Sequence, residues 1–199
     1  MPTINRVRFG SILEDADYLS ALRNADDEQK SVYIAEAEAI EAIQKGYLAI
    51  SEREKPFDVF ICYKETDDNG KRTMDSVLAN DLYHQLTQEG FKVFFSRITL
   101  EDKLGTEYEP YIFAALHSAK VMVVVGTKPE YLNAVWVKNE WSRYLQLIAA
   151  GQKKSLIPCY KNIDAYDMPK EFAKLQAQDL GKVGATQDLL RGIDKLLGR

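Results

Sequence analysis

Apolar and polar positions divide the chain into two textures. Up to about residue 55, apolar side chains recur at helical spacing among many glutamates. Beyond that point, short continuous apolar runs alternate with amphipathic stretches. In the first part, Ser11 and Glu14 outline a capping box ahead of a helix over roughly 12–23, whose buried line is Leu13, Ala16, Leu19 and Leu22. Asn24 to Asp27 reads as a turn and N-cap. A longer helix to about residue 52 then carries a narrow seam of Tyr33, Ile40, Ile43, Tyr47 and Ile50. Gly46 costs that helix about 1 kcal/mol relative to alanine, so tertiary contact must help to hold it. Two such helices cannot close a core alone. The expectation is an α-helical hairpin over residues 1–55, serving as a spacer or a self-association arm.

Lys55-Pro56 breaks the pattern. Phe57–Cys62 is an almost continuous apolar run, as expected of a strand buried on both faces. A polar loop, 64–72, leads to an amphipathic helix near 74–88, with Met74, Leu78, Leu82 and Leu86 as its apolar side and Gly90 as its stop. Strands are expected at 91–95, 120–125 and 155–159, with a fifth within 175–180. Between and after them lie a charged loop at 96–106 and helices near 107–118, 131–148 and 185–197. This alternation is the signature of an open parallel α/β sheet with helices on both faces. In such sheets ligands sit beyond the carboxyl ends of the strands. The loops there are 63–73, 96–106 and 126–131.

The helix after the third strand has two stripes. Val137, Trp141, Leu145 and Ile148 form a core-facing line, while Trp136, Glu140 and Tyr144 form a second line about 100° away. An aromatic and a carboxylate on one face suit the wall of a cleft. The competing reading is a half-exposed tryptophan beside a solvated glutamate that pairs with Arg143. Position favours the cleft, because the N-terminal half of this helix shares a rim with the ligand loops.

Composition narrows the function. The net charge is -4, so no basic field for nucleic acid is implied. Of 26 Lys/Arg and 30 Asp/Glu, 7 and 11 fall in residues 1–55, which leaves 19 of each in a neutral remainder. Cys62 and Cys159 lack a C-x-x-C spacing, and His84 and His117 stand far apart. These features point to a reducing compartment and away from a metal site. Apolar runs of about six residues are far too short for a membrane span, and the N-terminus has no apolar signal segment. A cytoplasmic protein is expected. No G-x-G-x-x-G, P-loop or Ser/His/Asp arrangement is present.

Residues 56–199 resemble a TIR (Toll/interleukin-receptor) domain. Phe57-Asp-Val-Phe-Ile-Cys-Tyr63 is similar to the family's opening box, with Cys62 where serine is usual. Ser96–Tyr108 is similar to the loop between the second strand and second helix, without the Arg-Asp…Pro-Gly wording of receptor adaptors. Trp136-Val-Lys-Asn-Glu140 is similar to the W-x-x-x-E element of TIR domains that cleave NAD. The resemblance implies a flavodoxin-like five-stranded parallel sheet and a catalytic role for Glu140, with Trp136 lining the nicotinamide side. NAD+ would be a substrate, so no cofactor is implied.

On the same rim, Lys64 and Arg97 are candidates for the diphosphate, with plain surface charge as the alternative. Tyr63 and Tyr108 are candidates for ring contacts, with packing as the alternative. The implied function is cleavage of the nicotinamide–ribose bond to nicotinamide and ADP-ribose or a cyclic isomer, in bacterial immune signalling, anti-phage defence or NAD depletion. A non-catalytic TIR–TIR interaction module is the alternative. The resemblance also implies self-association through TIR domains, and pairing through the N-terminal helices is a further expectation.

Overall fold

The computed structural model describes residues 16–35, 37–39, 42, 55–100 and 109–199. Contacts divide the chain into two units, residues 1–54 with 109–114 and residues 55–108 with 115–199. In the first unit, helix α1 spans Ala16–Asn24, and residues 27–35 and 37–39 are helical. Between them a reciprocal cap forms. The Gln29 amide donates to Asp26 Oδ1 at 2.8 Å, and the Asp26 amide donates to Gln29 Oε1 at 3.3 Å. Leu19 and Leu22 of α1 pack with Tyr33 around the fully buried Ala37. The expected Ser11–Glu14 box and the seam residues Ile40, Ile43, Tyr47 and Ile50 lie outside the described residues.

The second unit is built on strands β1 (Val59–Cys62), β2 (Val93–Phe94), β3 (Val121–Gly126), β4 (Ser155–Tyr160) and β5 (Gln178–Asp179). They form one sheet in the order β2-β1-β3-β4-β5, and every pair is parallel. This is the flavodoxin-like order expected from the sequence, with the switch point between β1 and β3. All of β1 and β3 is buried, as covering both sheet faces requires. The helices are α2 (Met74–Gln88), the short α3 (Ser96–Thr99), α4 (Glu109–Ser118), the short α5 (Pro129–Leu132), α6 (Val135–Ala149) and α7 (Ala185–Leu197). The expected loop at 96–106 therefore opens with a helical turn, and residues 101–108 lie outside the described set.

Alternation along the strands decides which helix sees which side chain. Val59 and Ile61, with Val121, Val123 and Val125, face a core closed by Ala79, Leu82 and Leu86 of α2 and Leu189 and Ile193 of α7. Cys62 points the other way, towards α6, where its thiol donates to the Val137 carbonyl at 3.6 Å. Helix α6 packs across β1, β3 and β4.

Two expected helix faces are corrected. In α2, Met74 is 53% exposed, while Asp75, Ser76, Ala79, Leu82 and Leu86 are buried. The helix starts where expected, with Thr73 capping it by accepting from the Ser76 amide at 3.1 Å, but its first turn directs Asp75 and Ser76 inward and Met74 outward. In α6, the buried line is Val137, Trp141, Tyr144 and Leu147, and Leu145 and Ile148 are only its flanks. Tyr144 joins the core because its hydroxyl has a buried acceptor, the Ala119 carbonyl at 3.0 Å.

Candidate active site

Glu140 depends on how α6 is anchored. The Trp141 indole donates to the Leu132 carbonyl of α5 at 2.9 Å, and its ring meets Phe172 edge-on at 5.0 Å between centroids. One turn later, Tyr144 is tied to Ala119. Lys154 Nζ adds bonds of 2.6 Å to the carbonyls of His117 and Ala119. With Val137, Trp141 and Tyr144 buried, the preceding stripe is turned towards the carboxyl end of β1.

There, half-buried Glu140 lies within hydrogen-bonding reach of the Cys62 thiol and the Trp136 side chain. The indole N–H is the one hydrogen-bonding group that the Trp136 side chain can offer a carboxylate. Burial pushes the Glu140 carboxyl up from 4.5 to about 7, and the donors Cys62 and Trp136 and the Arg143 charge pull against that rise. The group is therefore divided between acid and carboxylate near neutral pH. The Cys62 thiol is raised well above its usual range, first by burial and then by the Glu140 carboxylate, and it is inert as a nucleophile. Trp136 remains 44% exposed and its neighbour Val135 80% exposed, leaving one face of this corner open.

A second carboxylate stands on the other side of Cys62. Asp75, in the first turn of α2, is completely buried and acts electrostatically on the same thiol. Its Oδ1 accepts from the Thr127 amide at 2.8 Å and the Thr127 hydroxyl at 2.6 Å, while Oδ2 has no protein partner within hydrogen-bond distance. Burial lifts its carboxyl from 3.8 to about 6, with the bonds from Thr127 as the largest influence pulling against that rise. Sequence reading passed over Asp75 and Thr127. An acid in a helix's first turn normally complements the helix dipole, and nothing in the local pattern shows that this one is buried.

The other expected site residues fall elsewhere. Tyr63 is 7% exposed, with its ring 5.1 Å from Phe95 and its hydroxyl sharing a 3.3 Å hydrogen bond with Ser96. It is packed in the core, which is the alternative left open for it beside a ring contact on the rim. Arg97 donates to Asn80 and lies 5.1 Å over the Phe95 ring, so its guanidinium is engaged within the fold. Lys64 contributes its backbone, whose carbonyl accepts from the Thr73 hydroxyl. Tyr108 lies outside the described residues. The structure thus brings together Glu140, Trp136 and Cys62, and separately gathers Tyr63 and Arg97 around Ser96 and Phe95. Among the described residues no cluster of His, Cys, Asp and Glu is arranged to hold a metal.

A family model described as TIR domain matches residues 59–197. The chain belongs to the TIR domain family. Among solved structures, the TIR domain of the Toll-related receptor TRR-2 from Hydra magnipapillata is similar at 18% identity and a TM-score of 0.50, over 69% of this chain and 98% of that one. The TIR domains of the activated Roq1 resistosome, which directly recognises the pathogen effector XopQ, are similar at 16% identity and a TM-score of 0.51, over 71% and 99%. At these identities the likeness is one of fold. No curated protein matches the chain. No helix among the described residues of this TIR protein is long and apolar enough to cross a membrane.

Proposed function

We propose that this TIR protein cleaves the nicotinamide–ribose bond of NAD+, with Glu140 as the catalytic carboxylate. The observation that carries the reading is the setting of Glu140 at the carboxyl end of β1, held between the Trp136 indole and the Cys62 thiol. The resemblance of Trp136–Glu140 to the W-x-x-x-E element of NAD-cleaving TIR domains supports it. The chemistry suits one carboxylate. When the C1′–N bond breaks, its electron pair neutralises the pyridinium, so nicotinamide departs without needing a proton. The positive charge left on the ribose and the sugar hydroxyls are what the enzyme must stabilise, and an ionised Glu140 supplies both functions.

Attack of water on C1′, with loss of a proton, gives ADP-ribose. Attack by an adenine nitrogen gives a cyclic isomer. The exposed Trp136 face is apolar and planar, as a nicotinamide ring requires. Exposed Val135 beside it is a surface on which a second TIR domain can complete the site, so cleavage is expected to rise with assembly.

The test is incubation of concentrated protein with NAD+, followed by chromatography for nicotinamide and the ADP-ribose products, for wild type, Glu140→Gln and Glu140→Ala. Nicotinamide release by wild type and its loss in both variants is the expected outcome. Equal release by all three removes Glu140 from the reaction, and an inert wild type at every concentration leaves a TIR–TIR interaction module.

A further inference from the structure

Cys62 occupies the position where the family resemblance leads one to expect serine. It has one proton and two acceptors, both on α6 and one turn apart. The Val137 carbonyl accepts at 3.6 Å, and the Glu140 carboxylate is in reach of the same sulfur. Because β1 is buried along its whole length, no solvent competes for this proton. The backbone carbonyl is a fixed acceptor, whereas the carboxylate is a strong acceptor only when ionised.

We propose that Cys62 is a positioning residue for Glu140, its single thiol proton turning from the Val137 carbonyl to the Glu140 carboxylate when that group ionises. The inference rests on the proposed catalytic role of Glu140 for its consequence in activity, but the contact itself can be measured without it. Cys62 holds the ionised carboxylate against the end of β1 with a weak donor, which offsets only part of the rise that burial causes. A hydroxyl in the same place would hold it more firmly, since O–H is the stronger donor. The other groups facing this site are Trp136 and Arg143 on α6 and, across the thiol, Asp75 on α2. None of them changes when residue 62 is substituted, so the contribution of the thiol can be isolated.

The experiment compares wild type with Cys62→Ser and Cys62→Ala. In each, the Glu140 carboxyl is titrated by carbon NMR of glutamate-labelled protein, its resonance assigned by its absence in Glu140→Gln. The expected result is opposite displacement. Serine lowers the Glu140 midpoint by roughly half to one pH unit, and alanine raises it. The acid limb of kcat/KM for NAD+ cleavage should move the same way in each variant.

A purely structural Cys62 would instead leave the midpoint in place or shift it in one direction in both variants, and either result overturns the proposal. If the midpoints separate as expected but wild type releases no nicotinamide, the proposed function fails and the positioning role stands. If nicotinamide is released but the midpoints do not separate, the positioning role fails alone.

Discussion

Asp75 Oδ1 accepts both the backbone amide and the hydroxyl of Thr127, at 2.8 and 2.6 Å. The two residues are 52 positions apart, and the contact ties the start of α2 to the segment leaving β3. The corner of the sheet that carries the candidate site is thus closed by a buried ionisable group with one oxygen satisfied and the other without a protein partner.

Thr127→Val should therefore cost more than the loss of an ordinary surface hydroxyl. It removes one of the two donors to a fully buried carboxylate and leaves that oxygen under-satisfied, for about 1–3 kcal/mol by urea unfolding. Paired with Asp75→Asn in a double-mutant cycle, the two costs should fall well short of adding. Additive costs would show that the contact is not formed in solution.

The pH dependence of stability follows from the same burial. Folded Asp75 and Glu140 have carboxyls raised from 3.8 to about 6 and from 4.5 to about 7. Between about pH 4 and 7 the folded chain therefore binds more protons than the unfolded chain at these two groups. Their contribution to stability falls as pH rises through that window and is fully present only below it. Asp75→Asn should abolish its share, so the difference in unfolding free energy between wild type and variant should change between pH 4 and 6, by at most on the order of 3 kcal/mol. A difference that is flat with pH would place the Asp75 carboxyl in a solvated setting.

For the proposed reaction the sign is reversed, because there it is the ionised form of Glu140 that meets the developing cation. In wild type, kcat/KM for NAD+ should rise with pH through a limb near the Glu140 midpoint of about 7. Glu140→Gln should lower the plateau by roughly 10²-fold or more. A bell or a falling limb in the same range would assign an acid rather than a carboxylate to this position.

Trp136 contributes a donor and a ring, and two variants separate them. Trp136→Phe keeps a planar ring but removes the indole N–H, whose bond to Glu140 holds that carboxyl down, so the acid limb should move to higher pH with little change in KM. Trp136→Ala removes the ring as well and should raise KM in addition. Identical profiles for the two variants would assign the whole effect to the ring.

Gly126 closes β3 where α5 comes down on it. A Cβ there would lie 2.5 Å from side-chain atoms of Leu132, which is itself 1% exposed. Since the Leu132 carbonyl holds the Trp141 indole, Gly126→Ala should destabilise by about 1–3 kcal/mol and disturb the aim of Glu140 as well. Thermal unfolding and NAD+ cleavage measured on the same preparation would check both effects, and an unchanged melting temperature would contradict the close approach.

The fold was legible in the sequence because its signals are local. A strand buried on both faces has to read as a continuous apolar run, as Val121–Val125 does, and the parallel order follows from helices long enough to cross over. The spacing of Trp136 and Glu140 was equally visible, since four residues along a helix always fall on one face. What periodicity could not decide was which polar residues are removed from water. Tyr144 and Asp75 carry polar groups that local pattern assigns to a surface. Only packing supplied the buried Ala119 carbonyl for one and Thr127 for the other.

Chain position left Tyr63 and Arg97 open between ligand contacts and plain packing or surface charge, and only the tertiary structure shows their contacts with Ser96, Phe95 and Asn80. By itself the sequence determined the sheet, the order of its elements and a carboxylate one helical turn from a tryptophan. The tertiary structure decided that this carboxylate meets the thiol of Cys62. That contact depends on the alternation of β1, the rotation of α6 and the burial of both, and no single stretch of chain contains all three.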